Sequence, residues 1–171
     1  NLGFTRTPHW FYLPLINNSI TDSHWLLKID YPLLDFVDVY VHHENGKVHH
    51  WQGGDNYPFE TRPVSHRHLM FPLNLTSSEL IHIFIRVQTE GALQLPLHLW
   101  EETAFHLDEH RILVLHGAFF GVFLVMIVYN LFLFFSLRDL SYLYYVGFTS
   151  FFLLFLIALS GYGYQHLWRN W

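Results

Sequence analysis

Fourteen histidines occur in 171 residues, and four of them, His42, His43, His49 and His50, crowd around one Asn45-Gly46 turn. Asn-Gly is a strong hairpin signal because both residues accept positive φ. A two-residue loop there places His42 opposite His49 on one face, where two imidazoles are weak candidates for binding zinc or copper. A structural metal site wants four ligands, and no others are evident nearby. The alternative is a solvated hairpin tip whose imidazoles titrate near neutrality. A second group follows the hairpin. Arg62, His66 and Arg67 offer forked donors to an anionic or hydroxylated ligand, with Asp55 accepting hydroxyl protons. The competing reading is that Arg62 and Asp55 hold a long loop together. Trp51, with Trp10 and Trp100, can stack on a sugar ring, although aromatics this frequent also serve as core packing.

No catalytic arrangement accompanies these groups. The sequence has no Gly-x-Ser-x-Gly elbow, no phosphate-binding glycine loop and no His-Glu-x-x-His pair. Cysteine is absent, which removes thiolate nucleophiles, thiolate metal sites and disulfides. The formal net charge of −5 and the lack of a basic patch argue against a nucleic-acid partner. The chain is therefore expected to work by binding, without cofactor and without turnover.

The elements that must position these residues are of two kinds. Charged residues make up only 13% of the chain, and nearly all lie before Ile112. Between Trp10 and Trp100 apolar residues recur at every second position, the period of a half-buried strand. Trp25, Leu27, Ile29 and Tyr31 form one such series, Val37, Val39 and Val41 another, and Ile81, Ile83, Ile85 and Val87 a third. Leu69, Phe71, Leu73 and Leu75 form a fourth, and Leu93, Leu95, Leu97 and Leu99 a fifth. Turn chemistry separates them at roughly 8 to 12 residues, which predicts an antiparallel β-sandwich or jelly roll. Pro14, Pro72 and Pro96 inside these runs predict edges or bulges, since proline cannot donate to a ladder.

Residues 101–111 lack a strong apolar period and read as a juxtamembrane connector. From Ile112 to Leu137 there is no Asp, Glu, Lys or Arg, more than the roughly 20 residues a helix needs to cross the hydrocarbon. A second uncharged stretch from Leu140 to Tyr164 follows Arg138-Asp139, so the two spans predict an antiparallel transmembrane hairpin. Tyr142, Tyr144, Tyr145, Tyr162, Tyr164, Trp168 and Trp171 cluster near the ends of the second span, as interfacial aromatics do. Arg111 and Arg169 on one side against Arg138 on the other leave orientation undecided by charge. Asn130 is expected to hydrogen-bond between helices.

Several stretches resemble a known family. Tyr31-Pro32-Leu33-Leu34-Asp35-Phe36-Val37-Asp38-Val39-Tyr40, Gly54-Asp55 with Pro58-Phe59, Arg62-Pro63 with His66-Arg67, and Gly91 to Leu97 resemble the second type of extracellular domain of bacterial seven-transmembrane receptors with diverse intracellular signalling modules. Gly121, Tyr129-Asn130-Leu131-Phe132, Leu137-Arg138-Asp139 and Tyr142 to Tyr145 resemble the start of that family's membrane region. The resemblance implies a carbohydrate-binding-like sandwich over residues 1–100, periplasmic placement of residues 1–111 at a bacterial inner membrane, and the first two of seven helices over 112–171. It also implies a cytoplasmic output such as a diguanylate cyclase or histidine kinase. Expected partners are the bilayer, an unidentified small molecule with carbohydrate as a candidate class, and a second copy of the chain as a candidate dimer. A membrane-anchored carbohydrate-active enzyme or accessory protein is the alternative function.

Overall fold

The computed structural model describes residues 7–21 and 23–166. Trp168, Arg169 and Trp171 lie outside the described residues, as does the side chain of Tyr164. The chain divides into two compact units, one of residues 1–102 with 161–171 and one of residues 103–160.

In the first unit, seven strands are found among the described residues: β1 (His9–Ile16), β2 (Ser23–Ile29), β3 (Phe36–His43), β4 (Val48–Gly53), β5 (Leu69–Leu75), β6 (Leu80–Gln88) and β7 (Leu97–Glu101). One sheet has the order β1-β6-β3-β4 and the other β5-β2-β7, with antiparallel pairing throughout. Only β3 and β4 are consecutive neighbours in one sheet, and every other connection crosses to the opposite sheet. The alternating residues explain why two sheets form. Val37, Val39 and Val41 of β3 and Ile81, Ile83, Ile85 and Val87 of β6 are completely buried, facing Leu27, Ile29, Leu69, Phe71 and Leu73 of the second sheet. Each such side chain is stabilised by roughly 1.5 to 3 kcal/mol on leaving water. Pro14 lies on the edge strand β1 and Pro72 on the edge strand β5, where a missing N–H costs nothing. Pro96 stands just before the edge strand β7, its carbonyl accepting from Asp30 N–H at 3.0 Å. The fifth alternating series is a strand only from Leu97; Leu93 and Leu95 reach the core from irregular backbone.

The hairpin between β3 and β4 differs from expectation. His43 N–H donates to Lys47 O at 2.9 Å and Gly46 N–H to His43 O at 3.0 Å, while Gly46 has φ +80°. The loop therefore has three residues, Glu44-Asn45-Gly46, closed by a left-handed glycine. This moves the register by one, so Val41 pairs with His49 and His42 with Val48. His42 and His49 consequently lie on opposite faces of the sheet, and the expected imidazole pair between them does not form. Among the described residues no group of three His, Asp or Glu side chains could hold a metal ion.

The second unit is an antiparallel hairpin of two long apolar helices, α1 (Glu102–Leu137) and α2 (Leu140–Leu159). α1 begins immediately after β7, so the expected connector is helical and continuous with the first span. At 1.5 Å per residue its 36 residues extend about 54 Å, of which the uncharged stretch from Ile112 covers about 39 Å. α2, with 20 residues, is about 30 Å long and just spans the hydrocarbon. Mean hydropathy reaches 2.4 and 1.9 in the two helices, yet their most apolar windows are almost wholly unburied within the chain. Leu115, Val125, Phe135, Phe148 and Phe151 all project outward. In water this surface would be a severe aggregation liability; in a bilayer it is solvated. Arg138, at φ +57°, ends α1, and the Asp139 carboxylate accepts from Ser141 N–H to start α2. Phe123 and Phe152 meet across the hairpin at 6.1 Å. Asn130 Nδ2 donates to Met126 O of its own helix at 2.8 Å, where an interhelical bond was expected.

Candidate functional site

The three-residue loop has a consequence for the sandwich interior. Because β3 and β4 are in this register, His43, His49 and Trp51 share the inward face with Val41, beyond the end of the packed core. They open into a groove between β4 of one sheet and β5 of the other. Its inner part, about 60 Å³, is walled by Val41, Trp51, Pro72 and Leu73. Its outer part, about 220 Å³, is rimmed by Asn45, Lys47, Thr76 and Glu79, and His43, His49 and Asn74 border both.

Hydrogen bonds fix the polar side chains here. Glu79 Oε1 meets His43 Nδ1 at 2.7 Å, and Glu79 Oε2 accepts from Thr76 N–H at 2.8 Å and Thr76 Oγ1 at 2.9 Å. Burial pushes the Glu79 carboxyl up, but the Thr76 and His43 hydrogen bonds outweigh it and hold the group below its ordinary value. His49 stacks on Trp51 at 5.4 Å and 6° and touches His43 edge-on at 5.4 Å. Burial, then Lys47 and His43, push the His49 imidazole down, so at neutral pH it is uncharged. The groove thus combines an apolar floor, one indole wall and convergent polar groups, the general form of a small-molecule site.

Trp51 alone among the sequence-identified ligand residues lines this groove. Asp55, Arg62, His66 and Arg67 lie in the long connection from β4 to β5, which contains one 3-10 turn at Phe59–Thr61. Arg62 is buried; it donates to His66 O at 3.0 Å and Arg67 O at 3.1 Å, with its guanidinium 5.0 Å from the centre of the Phe59 ring. His66 Nδ1 accepts from His68 N–H at 3.1 Å. The buried Arg67 sets its guanidinium 4.9 Å from the Tyr162 ring, at the start of α3 (Tyr162–His166). These contacts frame the loop, the role weighed against ligand binding from sequence. Of the other tryptophans, Trp10 is on the outer face of its sheet, stacked on Tyr40 at 5.9 Å, and Trp100 is on β7.

Asp55 faces Asp35 across a tight backbone crossing, with Asp55 N–H donating to Leu34 O at 2.8 Å. Burial and the neighbouring Asp35 carboxyl push the Asp55 carboxyl up to about 6, and Arg62 offsets this only in part. Beside Asp35, at the Phe36 end of β3, lies a separate hollow of about 180 Å³. A raised folded-state pKa for an acid means that the folded protein binds the proton more tightly than the unfolded chain. Stability from this group is therefore full below pH about 4 and lost as pH rises through about 6. Because the side chain is partly exposed, solvent screening reduces the effect to about 1 kcal/mol. Asp55→Asn is expected to remove that decline and to stabilise the sandwich at pH 7.5 by about 1 kcal/mol. Denaturant titrations of both proteins at pH 5 and 7.5 check it; an equal pH response in the two would count against the carboxyl pair.

Sequence reading missed His43, Lys47, Asn74 and Glu79 as members of one site. Only Thr76-x-x-Glu79 carried a signal, since a Thr followed three residues later by Glu closes this reciprocal hydrogen bond. With the sandwich, the groove and the hairpin in view, comparison with known proteins adds the lineage. Residues 1–101 match the family described as 7TMR-DISM extracellular 2, and residues 112–171 match 7TM diverse intracellular signalling. No curated protein matches the chain. The two matched regions meet where the β-structure gives way to apolar helix, and the chain belongs to the 7TMR-DISM family, as the extracellular sensor domain and part of the seven-helix membrane region of a signalling receptor.

Proposed function

We propose that the sandwich is the ligand-sensing input module of the receptor, and that a small molecule seated in the groove between β4 and β5 biases the membrane helices. The junction carries this reading. Glu101 closes β7 in register with Trp25 of β2, and Glu102 opens α1 with no linker residue between them. A ligand shifts a receptor only through different affinity for two states. A linker-free joint transmits a change in the β7 ladder to α1, whereas a flexible segment would absorb it. The reading places the sandwich in the periplasm of a bacterium, α1 and α2 in the inner membrane, and a diguanylate cyclase or histidine kinase on the cytoplasmic side. Carbohydrate is one ligand class for the Trp51 wall, a second copy of the chain is the protein partner, and no bond is made or broken.

A Gly-Gly-Ser insertion between Glu101 and Glu102 of the receptor tests this against a panel of monosaccharides and small organic acids. Ligand affinity is expected to stay within about twofold while ligand-dependent output disappears. Trp51→Ala is expected to weaken binding by about tenfold or more. Turnover of a panel compound, or output that still follows ligand after the insertion, would defeat the proposal.

A further inference from the structure

We infer that the groove between β4 and β5 takes a small aliphatic carboxylate, with its tail against Val41 and Leu73 and its anionic head at the Lys47 rim. The inference rests on the groove being the ligand site and adds the chemical class. It follows from counting which polar atoms are already engaged.

The one acid lining the groove, Glu79, has both oxygens engaged, Oε1 by His43 and Oε2 by Thr76. Glu44, next to Asn45 in the turn, does not line it. Asn45 Oδ1 accepts from Lys47 N–H at 2.9 Å, and Asn74 Oδ1 meets His24 Nδ1 at 2.7 Å. Asn45 therefore keeps its NH2 group to donate, whereas Asn74 is paired with His24 on the outer face of its sheet, opposite to Leu73 and Leu75. Lys47 makes no ion pair among the described residues. What the rim still offers is the Lys47 ammonium and the Asn45 amide NH2 group, a set that matches a carboxylate.

Size settles the other end of the ligand. A dry cavity of about 150 Å³ holds a benzene ring. The inner hollow, at about 60 Å³, is far short of that, and its walls are Val41, Trp51, Pro72 and Leu73. It accommodates an aliphatic tail of about two or three carbons. The outer hollow, about 220 Å³, has room for the carboxylate and its waters.

The test uses the full chain in zwitterionic nanodiscs, titrated at matched ionic strength with butanoate, butanamide and D-glucose and followed by saturation-transfer NMR. Butanoate is expected to bind with a dissociation constant of about 1 mM, as suits so few atoms, and butanamide about tenfold more weakly. Lys47→Gln is expected to weaken butanoate about tenfold. Asn45→Asp keeps the acceptor for Lys47 N–H and replaces the NH2 group by a carboxylate oxygen; it is expected to abolish butanoate binding while leaving the unfolding midpoint unchanged. Equal binding of butanamide and butanoate, indifference of butanoate to both substitutions, or no butanoate binding would overturn the inference. Glucose binding that requires Trp51 without any butanoate binding would overturn the carboxylate and keep the groove. A panel ligand whose affinity ignores Trp51→Ala would remove the groove as well.

Discussion

Alanine at position 54 is expected to cost the sandwich more than about 3 kcal/mol, a large fraction of the about 5 to 15 kcal/mol that holds a domain folded. Gly54 has φ +136°, a conformation that L side chains rarely adopt. A Cβ built there lies 2.1 Å from Asp35 O and 2.7 Å from Asp35 C, both backbone atoms that cannot swing aside. The strand end therefore has to separate from the Leu34-Asp35 turn, and the bonds from Asp55 N–H to Leu34 O and from Asn56 N–H to Asp35 O go with it. Gly46→Ala is the matched control. Its φ is also positive, +80°, but the space around it is open, so the cost is expected to be about 1 kcal/mol. Denaturant unfolding of the two variants, followed by far-ultraviolet circular dichroism, measures the difference. Equal losses would mean that Gly54 is not pinned against the Asp35 backbone.

Arg62→Met is expected to destabilise the same unit by about 2 to 4 kcal/mol. Methionine fills the volume over Phe59 but cannot donate to the His66 and Arg67 carbonyls, which are then left in a buried loop without their charged donor. Arg62→Lys restores the charge without the planar fork and is expected to recover less than half of the loss. This pair of variants separates a loop frame from a ligand contact. A loop frame lowers the unfolding midpoint with or without ligand; a ligand contact leaves the unliganded midpoint alone and lowers affinity. A Met variant with wild-type stability would return Arg62 to the list of ligand-binding candidates.

Alternation along Val37 to Val41 and Ile81 to Val87 was enough to place the sheets' inner faces, because a strand with one buried face repeats every two residues whatever its partner. The prolines narrowed their positions to edges or bulges, where a missing N–H is tolerated, and the fold puts Pro14 and Pro72 on edge strands. The uncharged run from Ile112 to Leu137 identified a span because lipid admits no other solution for so long an apolar stretch. The hairpin register was not readable. Glu44-Asn45-Gly46-Lys47 suits both a two-residue loop and a three-residue loop closed by a left-handed glycine, and the choice decides which histidines face inward. The groove was hidden for a related reason. His43 and Glu79 are 36 residues apart, and they meet because β6 returns antiparallel beside β3, with His43 opposite Ile81. Asp55, Arg62, His66 and Arg67 stood out in the sequence because charged side chains cluster there. In the fold, Arg62 is turned onto the loop's own carbonyls.

One change of solvent, from water around the sandwich to lipid around α1 and α2, divides the chain. The chain has no cysteine, so single cysteines can report it without background. Val48→Cys sits on the exposed face of β4, Leu124→Cys midway along the uncharged stretch of α1 from Ile112 to Leu137, and Ser136→Cys in the last turn of α1. A membrane-impermeant maleimide applied to spheroplasts should label position 48 directly, position 136 only after the membrane is opened, and position 124 in neither case. Labelling of position 136 from outside, or of position 124 by the water-borne reagent, would contradict it.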